Sequence, residues 1–188
     1  MDLGLILLIV FTAIGAGLIG IYNSLVRLRV QSGSAWSDID VQLKRRCELI
    51  PNLIETVKGY AGHERQTLQA VVEARNRALS AQGPAQKAEA EGNLTQTLKT
   101  LFALAESYPQ LRAVESFTQL QSTLNQIEDA IQNARRYYNA VVRDLNTRIA
   151  QFPSNLIAGF FGFKAREFFE IGGTEREVPR VEFDSGNP

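Results

Sequence analysis

The stretch from Leu3 to Tyr22 carries no ionised side chain, and this feature constrains the fold more than any other part of the sequence. Thr12 is its only clearly polar residue. In an α-helix, about 20 residues at a rise of ~1.5 Å span roughly 30 Å, the thickness of the hydrocarbon core of a bilayer. The sequence therefore predicts that residues 1–24 form a transmembrane anchor.

A cleaved signal peptide is the competing interpretation of the same stretch. The first residues contain Asp2 and no Lys or Arg, and no small-x-small cleavage site follows the apolar run;. Instead, Tyr22 supplies an aromatic ring of the kind found at membrane interfaces, and Arg27 and Arg29 follow it;. The flanking residues favour an anchor that stays in the protein.

The charges on the two sides of the anchor predict its orientation. Asp2 lies on the N-terminal side, whereas Arg27 and Arg29 follow the C-terminal end. Because cytoplasmic flanks of membrane helices are rich in Lys and Arg, the N-terminus is expected in the periplasm and the C-terminal domain in the cytoplasm.

The overall charge argues against one class of function. Lys and Arg together number 20, as do Asp and Glu, so the net charge is zero. A nucleic-acid-binding protein needs a surplus of basic residues to displace counterions from phosphates. No nucleic acid is therefore expected as a partner.

The remainder of the chain shows helical periodicity, because apolar residues recur at steps of three and four;. One such stripe runs from Trp36 to Ala61 and contains Pro51, where a kink is favoured over a break because the stripe keeps its phase. A second continues through Leu68, Val71, Val72 and Leu79 after only a slight interruption at residues 62–64, and Gly83-Pro84 is expected to stop it;.

Two further helices are predicted after that stop. One covers residues 85–108, and the other runs from Glu115 to Ala150 with a seam typical of a coiled coil;. The seam consists of Phe117, Leu120, Leu124, Ile127, Ile131, Ala134, Tyr138, Val141 and Leu145. Long helices joined by short breaks pack as antiparallel neighbours. Residues 25–152 are therefore predicted to form an antiparallel helical bundle, and the chain is assigned to the all-α class.

No catalytic, cofactor-binding or metal-binding residues are predicted. His63 is the only histidine, and one histidine with one cysteine cannot supply the ligands of a typical zinc or iron site;. His63 is interpreted as a polar residue at a helix start. Cys47 lies on an apolar stripe and is interpreted as a small buried hydrophobic residue rather than a redox sensor;.

Several polar residues flank the apolar stripes of two long helices. We consider Asp38, Asp40, Arg45, Arg46, Arg135, Arg136, Asn139 and Asn146. A solvated face and an interhelix network that fixes the helix register explain them about equally well, since a partly buried charge is tolerated only when it is paired. The specific expectation is a contact between the pairs Asp38/Asp40 and Arg135/Arg136.

Residues 153–171 form a phenylalanine-rich segment with amphipathic character. Ser154 can cap a helix there, and Ile157, Phe161 and Phe168 would share one helical face. Two interpretations remain open: a flap that closes one end of the bundle, or an element that contacts the bilayer interface or a neighbouring subunit. Residues 172–188 are predicted to form an irregular tail.

Ordered motifs along the chain carry a family resemblance. They are Tyr22-Asn23, Leu25-Val26, Leu28-Arg29, Ala35-Trp36, residues 38–46, residues 49–53, Tyr60, His63-Glu64, Glu106-x-Tyr108-Pro109, Arg135-Arg136-x-Tyr138-Asn139 and Phe152-Pro153-Ser154. The chain resembles the LemA family in these motifs, from the anchor to about Phe169. Cys47 stands where an aromatic residue is expected, which affects packing rather than role.

The resemblance implies a bacterial single-pass inner-membrane protein with a cytoplasmic helical bundle. It implies no activity, and one branch of the family is associated with the making of bacterial membrane compartments. The functional hypothesis is a non-enzymatic scaffold that self-associates as a homo-oligomer and contacts the lipid bilayer. The alternative is an adaptor or sensor subunit for another inner-membrane enzyme, with other inner-membrane proteins as partners.

Overall fold

A computed structural model describes residues 3–170 of the chain. These residues form helices and loops, and no strand occurs among them, which confirms the all-α prediction. The helices are α1 (Leu3–Lys58), α2 (Arg65–Ser80), α3 (Gly83–Ala105), α4 (Pro109–Arg112), α5 (Glu115–Ala150) and α6 (Ser154–Phe160). The predicted irregular tail, residues 172–188, lies outside the described residues.

The anchor and the first bundle helix are one continuous helix. Helix α1 contains 56 residues, so it is roughly 84 Å long at ~1.5 Å per residue;. Its N-terminal part has a mean hydropathy of 2.6 over an 18-residue window, long and apolar enough to cross a membrane, and no residue of that window is buried in the protein. The boundary predicted near residue 24 therefore falls inside a helix and not at a linker.

Helix α1 continues through Pro51, as the unbroken phase of its apolar stripe predicted. Proline has no backbone N–H, so the carbonyl of Cys47, four residues earlier, loses its helical donor. Arg75 of α2 replaces that donor, because its Nε donates to the Cys47 carbonyl oxygen at 2.8 Å. The contact gives the otherwise unpaired Cys47 carbonyl a donor and fixes α2 against α1.

The break between α1 and α2 is larger than the sequence suggested. Helix α1 ends at Lys58, residues 59–64 form turns, and α2 begins at Arg65. Ala61 lies in this turn, is 1% exposed and packs in the same core as α1. The apolar pattern keeps its phase because the turn residue is buried, so local periodicity cannot reveal that the chain reverses direction.

The second helix also differs from its predicted pattern. Val72 and Leu79 are exposed, whereas Ala74 and Ala78 join Leu68 in the core. Small side chains let α2 lie close to its neighbours, and a stripe chosen by hydrophobicity alone overlooks alanine. Gly83 and Pro84, expected to stop α2, form the first turn of α3 instead, with Gly83 at φ +72°.

Helix α5 has the predicted bounds, and every residue of its predicted seam is buried or half-buried. It runs antiparallel to α1: Arg148 lies beside Ser24, Tyr137 beside Gln31, and Glu128 beside Arg46. The α2–α3 hairpin covers the half of the bundle far from the anchor. The predicted antiparallel bundle is therefore confirmed.

Only the first part of the phenylalanine-rich segment is helical. Helix α6 ends at Phe160, and the chain continues without regular structure to residue 170. Gly162, at φ +69°, ends the helix in a Schellman turn in which the Phe163 N–H donates to the Ala158 carbonyl at 2.9 Å;. The expected helical face joining Ile157, Phe161 and Phe168 does not form, because the chain leaves the helix before it.

Candidate interaction surfaces

A buried charge cluster links three helices of the bundle. Arg46 of α1 is 4% exposed, and its guanidinium lies 3.3 Å from a carboxylate oxygen of Glu91 and 3.0 Å from one of Glu128. It also donates to the Thr95 hydroxyl at 2.8 Å. A buried charge is tolerated when it is paired and hydrogen-bonded, so this cluster fixes the positions of α1, α3 and α5 relative to one another.

Two of the four residues in the expected interhelix contact, Asp40 and Arg136, have other partners. Asp40 forms its ion pair with Lys87 of α3, and Arg136 donates to Asn133 of its own helix. Lys87 also lies 5.8 Å from the centre of the Trp36 ring. Helix α3 occupies the side of α1 on which Asp40 lies, so the acidic residue meets a lysine there rather than the predicted arginine of α5.

A small cavity of about 180 Å³ lies beside this cluster and includes Cys47 and Glu91 in its lining. Burial raises the pKa of the Cys47 thiol to about 11, so the thiol stays protonated near neutral pH and is a poor nucleophile;. Burial, with Glu128 nearby, raises the pKa of Glu91 to about 7 against the lowering effect of Arg46. Both groups serve packing and pairing in this arrangement.

His63 lies exposed in the turn before α2, near the helix start where the sequence placed it. Its neighbour Glu64 accepts a hydrogen bond from the Tyr108 hydroxyl at 3.0 Å, which ties this turn to the start of α4. Within residues 3–170, no three His, Cys, Asp or Glu side chains gather in a way that could hold a metal ion.

Two asparagines of α5 hold the extended chain that follows α6. The Asn139 amide donates to the Phe169 carbonyl at 3.0 Å and accepts from the Phe169 N–H at 2.9 Å. Asn146 makes the same pair of contacts with Arg166, each at 2.9 Å. We call these four bonds the asparagine clamp. Both asparagines stand out in the sequence, where a solvated face and an interhelix network explain them about equally well; neither interpretation includes a contact with the chain that follows α6.

The spacing of the clamp follows from the geometry of helix and extended chain. Asn139 and Asn146 are seven residues apart, roughly 10.5 Å along a helix. Arg166 and Phe169 are three residues apart, roughly 10 Å in extended chain. Each asparagine can therefore bond to the N–H and C=O of one residue in the extended chain. Between those two residues, the Glu167 carbonyl accepts a hydrogen bond from the Tyr138 hydroxyl at 2.9 Å.

The clamp also places aromatic rings in the core. Phe169 is fully buried, and its ring centre lies 5.7 Å from that of Trp36, which in turn lies 5.4 Å from Tyr138. Near the anchor, Phe163 packs in a separate cluster with Leu25. These two rings support the interpretation of the segment as a flap that closes the bundle.

Other apolar side chains of the segment, and Phe152 just before it, face outward. Phe152 and Phe160 are 76% and 85% exposed, and Leu156 is also exposed. Ser154, expected to cap α6, instead lies with its hydroxyl 2.6 Å from the Arg148 carbonyl and satisfies the end of α5. The segment is thus divided between core residues and an exposed apolar face beside the anchor.

Comparison with known proteins identifies the family. Residues 35–183 match the sequence model of the LemA family, which covers most of the chain. The chain belongs to the LemA family. The resemblance seen in the sequence motifs is thereby confirmed.

Several relatives are similar over most of this LemA-family chain. Magnetosome protein MamQ 2 of Paramagnetospirillum magneticum is 25% identical over 79% of this chain and 64% of its own length. Magnetosome protein MamQ of Magnetospirillum gryphiswaldense is 24% identical over 85% of this chain and 70% of its own. Protein LemA of Metamycoplasma hominis is 24% identical over 89% of this chain and 75% of its own length.

The chain spans 64% of the length of the Paramagnetospirillum relatives that it matches. None of these names specifies an enzymatic activity. The exposed apolar part of α1 is long and apolar enough to cross a membrane, which supports a membrane-anchored protein.

The clamp predicts a local loss of order when Asn139 is replaced. Asn139→Ala removes two hydrogen bonds of about 1 kcal/mol each, so amide exchange at Phe169 should be roughly 30-fold faster. Hydrogen–deuterium exchange of residues 163–170 in the detergent-solubilised protein measures this. Asn125→Ala, at an exposed position of the same helix, is the matched control and should leave the rate unchanged. Unchanged exchange at Phe169 in Asn139→Ala would show that the clamp does not hold the segment.

Proposed function

We propose that this protein is a non-enzymatic scaffold of the bacterial inner membrane that self-associates through its anchored bundle. The observation that carries the proposal is the continuity of α1, which joins the membrane-spanning stretch to the core of the bundle without a linker. Because this helix has no flexible joint, it holds the bundle surface at a fixed position relative to the membrane. Such rigidity suits a protein that organises others and is not needed to tether an enzyme.

The interior supports the same proposal. Glu91 and Cys47, whose pKa values are raised by burial, lie at the Arg46 cluster, where their surroundings serve pairing and packing. The adjoining cavity of about 180 Å³ is small beside typical ligand pockets of roughly 300–1,000 Å³;.

The proposed orientation places the N-terminus in the periplasm and the bundle in the cytoplasm. Arg27 and Arg29, which follow the span, support it under the positive-inside rule;. Protease added to intact spheroplasts should leave the bundle whole and digest it only after lysis. Digestion of the bundle without lysis would reverse the assignment.

Self-association draws support from the anchor. Ala13 and Gly17 lie four residues apart on one face of the helix, and no other part of the protein lies near the position of a Cβ atom at Gly17, so this face is open to a neighbouring helix;. Small residues allow membrane helices to approach closely. Confinement of the anchors to one membrane also raises their effective concentration.

The size of the purified particle tests this function. The full-length protein, extracted in mild detergent and measured by light scattering with the detergent mass subtracted, should exceed the 20.9 kDa of one chain several-fold. A monomer would contradict the scaffold, and a monomer that copurifies with one other membrane protein would favour the adaptor or sensor function. Gly17→Ile should reduce the particle size, whereas Gly4→Ile, at the edge of the span, is the matched control.

A further inference from the structure

The exposed face of α6 is not explained by closure of the bundle. Ile157, Ala158 and Phe163 already pack against Leu25 of α1 and close this end. Phe152, Leu156, Phe160 and Phe161 remain largely outside, and Phe160 is the most exposed at 85%. We call these four side chains the foot. Adjacent exposed rings of this kind mark a contact with another apolar phase.

The foot is continuous with the surface of the anchor. An open apolar groove of about 500 Å³ has Leu156, Phe160 and Phe161 on one side and Leu18 and Ile19 of α1 on the other. Tyr22 joins the two sides, since its ring centre lies 4.7 Å from that of Phe161. Leu18 and Ile19 belong to the stretch that spans the membrane, so lipid that surrounds the anchor also reaches the groove.

The charges near the foot match the level of lipid headgroups. Arg27 and Arg29 follow Tyr22 within two turns of α1, and the Arg29 guanidinium lies 5.7 Å from the centre of the Phe163 ring. Arg148 at the end of α5 reaches the Ser24 hydroxyl at 3.4 Å. Apolar side chains below a belt of arginines form the pattern of an element that lies in the bilayer interface.

We propose that the foot inserts into the bilayer interface beside the anchor and that lipid acyl chains fill the groove between them. The proposal rests on the proposed function, because it requires α1 to span the membrane. A second protein copy could reach this groove only from within the bilayer, since anchor residues form one of its walls. Two contacts on one rigid body would fix the tilt of α1 and hold the bundle at a set angle to the membrane.

Tryptophan quenching by brominated lipids tests the proposal in the full-length protein. Phe160→Trp is prepared with Trp36→Phe and reconstituted at low protein density in phosphatidylcholine–phosphatidylglycerol vesicles brominated on the acyl chains. Phe160→Trp should lose most of its emission relative to vesicles without bromine. Val41→Trp is the matched control: its position is also exposed, but it lies about 29 Å beyond Tyr22 along the helix and should keep its emission;.

A tryptophan within the span separates the two ways in which the proposal could fail. Phe11→Trp should be quenched if α1 crosses the membrane. Quenching of Phe11→Trp without quenching of Phe160→Trp would overturn the foot and leave the anchor intact. If Phe160→Trp is also shielded from acrylamide, a subunit contact covers it instead. Failure to quench Phe11→Trp would overturn the anchored scaffold and the foot together.

The fold of the variants is checked by circular dichroism. If Trp36→Phe loosens the bundle, the three tryptophans are introduced with Trp36 retained. Quenching is then read as the difference from the unaltered chain, and the same outcomes support or overturn the proposal.

Discussion

The arrangement of the protein depends on the continuity of helix α1 from the apolar span into the bundle. Because the helix passes from the apolar span into the bundle, the direction of the anchor and the direction of the bundle cannot vary independently. Pro51 is the point at which this continuity is most at risk, and it lies beyond the span, inside the packed core. The Arg75 side chain supplies the donor that the proline lacks, so a contact from α2 supports the long helix where its own bonding is incomplete.

The asparagine clamp is the second constraint, because it determines where the chain goes after α6. An extended segment on the surface of a helix has backbone N–H and C=O groups without strand partners. Asn139 and Asn146 bond to those of Phe169 and Arg166. The turn at Gly162 connects this clamped segment to α6, which packs against α1 near the end of the span. The clamp and the proposed foot are therefore linked: polar bonds hold one end of the segment, while exposed apolar side chains at the other end lie beside the anchor.

The sequence predicted those parts of the fold that follow from uninterrupted periodicity. The bounds of α5 and the burial of its seam follow from steps of three and four, which assign each residue to a face;. The reversal after Lys58 was not predictable in this way, because buried Ala61 keeps the pattern in phase through a turn. The partner of Asp40 also depends on how α3 lies against α1, which is a property of the packed bundle and not of either helix alone.

The candidate surfaces were predictable in part. The sequence identified Arg46, Asn139 and Asn146 as unusual polar residues beside apolar stripes, and all three are half-buried or buried in the structure. Their roles differ because one is paired with carboxylates and two bind backbone groups. Seven residues of helix and three residues of extended chain have about the same length, so the spacing of the two asparagines could have indicated the clamp. That inference requires knowing that the segment after Gly162 is not helical.

The rigid continuity of α1 is tested most directly by the distance between the span and the bundle. Spin labels introduced by Phe11→Cys and Val41→Cys, with Cys47→Ala, lie 30 residues apart, roughly 45 Å along a continuous helix. Double electron–electron resonance on the protein in lipid nanodiscs should give one narrow distribution near that distance, apart from the length of the label tethers. A broad distribution, or one centred at a much shorter distance, would show that the anchor and the bundle move independently and would contradict the account.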